Sequence, residues 1–297
     1  MNISEPEIVH MAETAGIENS TVRPVGAGHY NDSYFIETED DRYVIRIAPH
    51  DDVPKLFYEI DMMRSEPAIH EAVLRHTDIP APRVVFSDFS RSRADYDYII
   101  LEYLEGRSGY FEDEELGQYV QELHAVKGDV FGYPDRAAPT GDSWPEIFAV
   151  YAERIFQDCL SCGIITREEY TWFLAIYKKH EHTISECEPC LLHLDLWTQN
   201  ILTENGTITA VLDFDRGLYG DPELEFAVLD TYSTSTPEFF RGYGSPRPSD
   251  PNAAIRQKLY IVYELIKYAF IRYARGGNRP TGRMHAEQCR SLLAPLE

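Results

Sequence analysis

Residues 193–200 read HLDLWTQN and residues 208–215 read ITAVLDFD. The apolar runs around them, Cys190 to His193, Ile201 to Thr203 and Ile208 to Asp213, have the length and composition of short strands, and Asn205-Gly206 is suited to a two-residue hairpin turn. That hairpin returns the end of the third strand to the loop at 193–200. Asp195, Asn200 and Asp213 are therefore predicted to converge. Each alone reads as a turn or cap residue; their joint spacing sets them apart.

Three converging oxygen-bearing side chains suit phosphoryl transfer. That reaction needs a carboxylate to orient an attacking hydroxyl and accept its proton, and oxygen ligands to hold Mg2+ on the phosphates. H-x-D-x-x-x-x-N followed by D-F-D has the spacing of kinase catalytic loops. Asp195 is the expected base, with Asn200 and Asp213 the metal ligands. His193 is expected to support the loop by bonding to a backbone group or to a carboxylate such as Asp213 or Asp221. Gly217, Gly220, Asp221 and Pro222 suggest a tight turn opening a helix near Glu223, with Asp221 as N-cap or anchor.

Working outward, the first hundred residues read as a short helix and then a strand-rich unit. Thr21 to Val25, Tyr34 to Thr38 and Tyr43 to Ile47 are β-branched or aromatic runs, the last two joined by the acidic turn Glu39-Asp40-Asp41. A helical stretch over roughly 53–76 is marked internally by Pro67, and strands follow at Val84 to Ser87 and Tyr98 to Tyr103. After Gly106 the period lengthens to that of helices: 112–126, near 145–160, 167–184, 252–275 and 282–294. The stretch 259–270 is apolar nearly all round and reads as a buried helix. The expected boundary divides residues 1–104, a nucleotide-binding lobe, from 105–297, a lobe carrying the catalytic loop and acceptor site.

HLDLWTQNIL followed by AVLDFDRGLYGDPELEFAVL resembles the signature of the aminoglycoside phosphotransferase and choline kinase-like family. The resemblance implies an α+β, bilobal protein-kinase-like fold with a small antiparallel-sheet lobe and a larger, mainly helical one. It also implies ATP or GTP as donor, Mg2+ as cofactor and a small-molecule hydroxyl acceptor. The family places a phosphate-covering loop where this chain has VGAGHYNDSY (25–34), so Gly26, Gly28 and Asn31 become candidate phosphate contacts. Period-two alternation sets Arg46 on the face of Val44 and Ala48, pointing into a cleft; here the chain has arginine where protein kinases have lysine. Its expected partner is Glu66, with Glu71 the alternative. Glu102-Tyr103-Leu104 resembles the interlobe hinge, so Glu102 and Leu104 are assigned to the purine edge. Trp197 is similar to the H-G-D-L-W tryptophan of ketosamine kinases, where it would stack on a sugar or fill the core.

With 50 acidic against 27 basic residues and a net charge of −23, the chain should repel nucleic acid and anionic lipid. No apolar run of 18 residues and no signal-like start occur, which predicts a soluble cytoplasmic protein. Two C-x-x-C pairs, Cys159/Cys162 and Cys187/Cys190, raise a zinc site as an alternative to packed, reduced thiols. Acidic residues near the motifs, Asp215, Glu223 and Glu225 among them, make an amine-bearing acceptor (an aminoglycoside, amino alcohol or ketosamine) attractive. The competing reading is a non-catalytic nucleotide- or metabolite-binding pseudokinase, which Arg46 alone favours.

Overall fold

In the computed structural model, residues 3–26 and 30–297 are described. The strand-rich unit forms one antiparallel sheet from β1 (Thr21–Pro24), β2 (Asp32–Glu37), β3 (Arg42–Ile47), β4 (Val84–Asp88) and β5 (Tyr98–Glu102), in the order β1-β2-β3-β5-β4. The acidic turn closes the β2–β3 hairpin as expected, with Glu37 opposite Arg42 and Thr38 N–H donating to Asp41 O at 2.9 Å. Alternation along β3 sends Ile45 and Ile47 to a core shared with Ile8, Met11 and Ala12 of α1 (Glu5–Thr14), and Val44 and Arg46 to the cleft.

The stretch 53–76 departs from a single helix. It holds two short 3-10 turns, Phe57–Glu59 and Met62–Ser65, before α2 (Glu66–His76) begins. Asp61 is left-handed (φ 56°) and breaks the path, and Pro67 stands in the first turn of α2, where its missing N–H costs nothing.

Below the sheet the chain is mainly helical: α3 (Asp113–Ala125), α4 (Trp144–Ser161), α5 (Arg167–His180), α6 (Pro222–Tyr232), α7 (Pro237–Tyr243), α8 (Ala253–Phe270) and α9 (Arg279–Leu293). Their starts are chemically marked. Thr166, Asp221, Thr236 and Asn278 each accept a backbone N–H of the following turn, and Pro222, Pro237 and Pro280 sit just inside three of the helices. α8 is buried along most of its length, as its apolar sequence predicts, and packs with α4 and α5 around Trp144, Phe148, Phe156, Phe173, Tyr177 and Tyr260. It ends in a π-helical turn, Ile271–Arg275.

Two small sheets carry the motif loops. β6 (Arg107–Ser108), β10 (Ile201–Glu204) and β11 (Thr207–Val211) form one, in the order β11-β10-β6; β7 (Phe131–Gly132), β8 (Thr140–Gly141), β9 (Cys190–Leu192) and β12 (Leu218–Gly220) form the other, in the order β8-β7-β12-β9. Asn205 and Gly206, both at positive φ, close the β10–β11 hairpin as their residue types require. The cysteine pairs do not gather: the Cys159 thiol packs under α8 against Ile266 O, whereas Cys190 meets Lys127 Nζ at 2.9 Å. Among the described residues no group of three or more His, Cys, Asp or Glu side chains is placed to hold a metal ion, and no helix is long and apolar enough to cross a membrane.

Candidate active site

The loop between β9 and β10 is held from beneath. Leu194 is buried and left-handed (φ 62°), a conformation unusual for a bulky residue. Glu225 of α6 stabilises it: its carboxylate accepts the backbone N–H of His193 at 2.6 Å and of Leu194 at 3.1 Å. Arg216 donates to Leu194 O from the other side. His193 is wholly buried, and its ring spans the loop, with Nε2 donating to Leu212 O (3.0 Å) and Nδ1 accepting from Asp195 N–H (3.2 Å). Burial keeps this ring below its usual pKa, hence neutral, as a donor–acceptor pair demands. The supporting partner expected at sequence level is thus a backbone carbonyl, neither Asp213 nor Asp221.

Asp195 stands at the cleft surface. Asn200 Nδ2 donates to its Oδ2 at 2.7 Å and to its backbone O at 2.9 Å, and Tyr232 Oη donates to Oδ1 at 3.3 Å. Arg216 lies 3.6 Å from Oδ1 and shares Glu264 with Lys267, a buried charged trio from the 3-10 turn Phe214–Arg216 and α8. Asp213 follows β11 in a left-handed conformation (φ 66°) and lines the same cleft of about 950 Å³ as Asp195 and Asn200.

Arg46 crosses this cleft from the sheet. It reaches Glu66 Oε2 at 2.5 Å, Asp213 Oδ1 at 2.6 Å and Asp215 Oδ2 at 3.2 Å. Glu66 is therefore the partner; Glu71 is exposed and pairs with Arg75. One guanidinium does not keep three neighbouring carboxylates ionised. Burial, then the charge of Asp213, push Asp215 well above the usual carboxylate range; burial likewise opposes the Asp213 charge, but Arg46 and the bond from Asp215 hold Asp213 below its ordinary value. Burial pushes Glu66 up to about 7 against the pull of Arg46.

Of the glycine turn, Gly26 (φ 134°) lines the cleft, and Asn31 Nδ2 donates to Asp215 Oδ2 at 3.3 Å, which anchors the turn. Gly28 lies outside the described residues. Glu102 and Leu104 line the cleft at the end of β5, with Phe35, Val44, Leu101, Leu202 and Leu212 supplying an apolar slot. Asp221 lies away from these groups as N-cap of α6, accepting Glu223 N–H at 2.9 Å and Tyr260 Oη–H at 2.7 Å. The carboxylates offered above for an amine are otherwise engaged: Asp215 with Arg46, Glu225 with the loop backbone, and Glu223 with Arg256 at 2.5 Å.

The sequence matches the phosphotransferase enzyme family over residues 21–245. The chain belongs to that family. It is 24% identical over 263 residues to a "probable ketoamine kinase" of Lactiplantibacillus plantarum, covering 83% of this chain and 87% of that protein. It is also 24% identical over 281 residues to a protein of the same description from Synechocystis, covering 90% and 89%. Among solved structures, a Haemophilus somnus protein provisionally named fructosamine-3-kinase superposes with a TM-score of 0.71 at 18% identity, over 98% of this chain and 96% of its own. An aminoglycoside phosphotransferase in ternary complex with AMP-PNP and hygromycin B gives 0.67 at 15%, over 96% and 98%. The fold is the bilobal, protein-kinase-like one.

Several groups of this phosphotransferase's site escaped the sequence reading. Arg136 donates to Ser65 Oγ (2.6 Å), Tyr58 O (2.8 Å) and Asp215 O (2.6 Å), pinning the sheet side of the cleft to the helical side. Nothing local marks it. Glu264 and Lys267 did leave a signal: two charges three residues apart in the otherwise apolar stretch 259–270 of α8, which burial requires to be paired.

Proposed function

We propose that this phosphotransferase is a small-molecule kinase that moves the γ-phosphate of ATP to a hydroxyl of an amine-bearing sugar, a ketoamine above all. The observation that carries the reading is the convergence of Asp195, Asn200 and Asp213 in one cleft with the Arg46–Glu66 pair. The names of the ketoamine kinase relatives support the acceptor class, and the AMP-PNP complex of the structural neighbour supports ATP over GTP.

Residues 1–104 would hold the nucleotide, with backbone at Glu102 and Leu104 on the purine edge, Gly26 and Asn31 over the phosphates, and Arg46 bridging phosphate and Glu66. Residues 105–297 would supply the rest. Asp195 orients the acceptor hydroxyl; as its oxygen bonds to the γ-phosphorus, the bond to the bridging oxygen breaks, ADP leaves and the hydroxyl proton passes to Asp195. Asn200 secures the Asp195 rotamer. His193 and Asp221 act by holding the loop and the helix behind it.

The donor set fits Mg2+. Asp213 presents a carboxylate one-third exposed to the cleft, and with the Asn200 nitrogen committed to Asp195 its amide oxygen is the atom left for a cation. Two oxygen ligands are too few for an all-protein cage and suit an ion completed by phosphates. When bound, it would neutralise charge on the transferring group. Trp197 and Tyr232, stacked with centroids 6.1 Å apart beside Asp195, offer an aromatic face to a sugar and to its ammonium.

Incubation with ATP, Mg2+ and the ketoamine of glucose with a simple amine tests this: acceptor-dependent ADP formation is expected. ATP bound without turnover of any hydroxyl acceptor would instead establish the pseudokinase reading.

A further inference from the structure

The wall of the cleft that meets Asp195 through Tyr232 is built from α6, α8, the π-helical turn, α9 and the 3-10 turn ending at Arg216, and it carries cations: Arg216, Lys267, Arg272 and Arg275 all line it. In a chain with 27 basic residues against 50 acidic ones, this concentration runs against the average surface. Most of these charges are spent. Arg216 and Lys267 share Glu264, and Arg275 is bound to Glu59 while lying over the Tyr30 ring, 4.8 Å from its centroid.

Arg272 differs. It is exposed, lines the cleft, and is the only guanidinium or ammonium there that forms no ion pair among the described residues. Its backbone is fixed all the same: its carbonyl accepts from Asn278 N–H at 2.8 Å, and Gly276 N–H closes the turn on Ile271 O at 2.9 Å. π-helical turns are rare and occur frequently at functional sites. Of the other carboxylates lining the cleft, Glu59 is engaged by Arg275 and Asp213 and Asp215 by Arg46, while Glu102 stands apart from this wall, at the end of β5. The uncompensated charge on this wall is therefore positive, which disfavours a polycationic acceptor.

We propose that the acceptor carries a carboxylate, received by Arg272, in addition to the hydroxyl presented to Asp195. A planar guanidinium matches a carboxylate in a two-pronged hydrogen bond, and the charge selects it over a neutral group. Joined to the ketoamine reading, on which this proposal rests, the substrate class is the ketoamine of a free amino acid.

The experiment compares two acceptors differing only in that group, the glucose ketoamines of glycine and of glycinamide, with wild-type protein and with Arg272→Gln. The wild type is expected to favour the glycine compound in kcat/KM by about ten-fold or more, as a charge-assisted pair implies. In the variant that ratio should fall to near one, through KM for the acceptor, with KM for ATP unmoved. Equal use of both acceptors by the wild type overturns the carboxylate proposal alone. So does a preference that survives Arg272→Gln, or a variant whose defect lies in KM for ATP, which would make Arg272 a phosphate contact. Turnover of neither compound overturns this proposal and the ketoamine reading together.

Discussion

Arg46 Nη1 lies 2.5 Å from Glu66 Oε2, which ties β3 to the first turn of α2, and the same guanidinium reaches Asp213 beyond β11. A single side chain thus connects the sheet, the helix behind it and the Asp213 carboxylate. Its removal leaves Glu66, wholly buried, without its cation. Arg46→Met should lower the unfolding free energy by about 3 kcal/mol or more, since Glu66, Asp213 and Asp215 all lose the donor that their buried oxygens share. Arg46→Lys should fold better yet raise KM for ATP, because an ammonium cannot fork across both partners. Thermal unfolding and steady-state kinetics check the two together.

Tyr232 joins Asp195 to Tyr268, donating to Asp195 Oδ1 at 3.3 Å with its oxygen 2.5 Å from Tyr268 Oη. Tyr232→Phe keeps the ring stacked on Trp197 and deletes this bond to Asp195. A fall in kcat of about ten-fold is expected, the worth of one hydrogen bond to a charged group. An unchanged kcat would remove Tyr232 from the positioning of Asp195.

α3 and α7 cross so closely that a Cβ at Gly242 would lie 1.8 Å from Glu114 O, and one at Gly117 2.0 Å from Phe239 O. Backbone cannot yield as a flexible side chain can. Gly242→Ala should therefore destabilise by about 3 kcal/mol or more despite its gain in helix propensity, read as a lowered Tm.

His70 and His124 are buried, and burial lowers their pKa values to about 4 and about 3. Folded protein then binds fewer protons than unfolded chain below pH 6.5, so their contribution to stability is complete above that pH and is lost as pH falls toward 4. Glu66 and Glu225, pushed up to about 7 by burial, act in the opposite sense, losing stability as pH rises from 4.5 to 7. Comparison between variants isolates the histidines. Wild type relative to a His70→Gln, His124→Gln variant should lose about 2 kcal/mol per histidine between pH 7 and pH 5. Parallel stability curves would show that the rings are protonated in the fold.

What the sequence made legible follows from how far apart the partners are. Asp195, Asn200 and Asp213 lie within nineteen positions and are joined by a hairpin whose Asn-Gly turn declares itself, so their convergence could be read directly. Arg46 and Glu66 needed only strand alternation and a helix start. Arg136, Glu225 and the Arg216–Glu264–Lys267 trio act across long separations and become visible only when α6, α8 and the 131–141 segment are packed. Asp61 in a left-handed conformation breaks the 53–76 stretch into 3-10 turns, and no periodicity announces a single aspartate at positive φ. The carboxylates Asp215, Glu223 and Glu225 looked available to an amine because their internal partners, Arg46, Arg256 and the loop backbone, are close to them only in space.

The role proposed for Asp195 is that of the base in phosphoryl transfer. It is tested most directly by measuring acceptor-dependent ADP release by Asp195→Ala beside wild type, with ATP binding and Tm recorded on the same samples. A loss of about 10³-fold in kcat, with ATP affinity and Tm close to wild type, is the predicted result. Turnover within ten-fold of wild type would contradict the account.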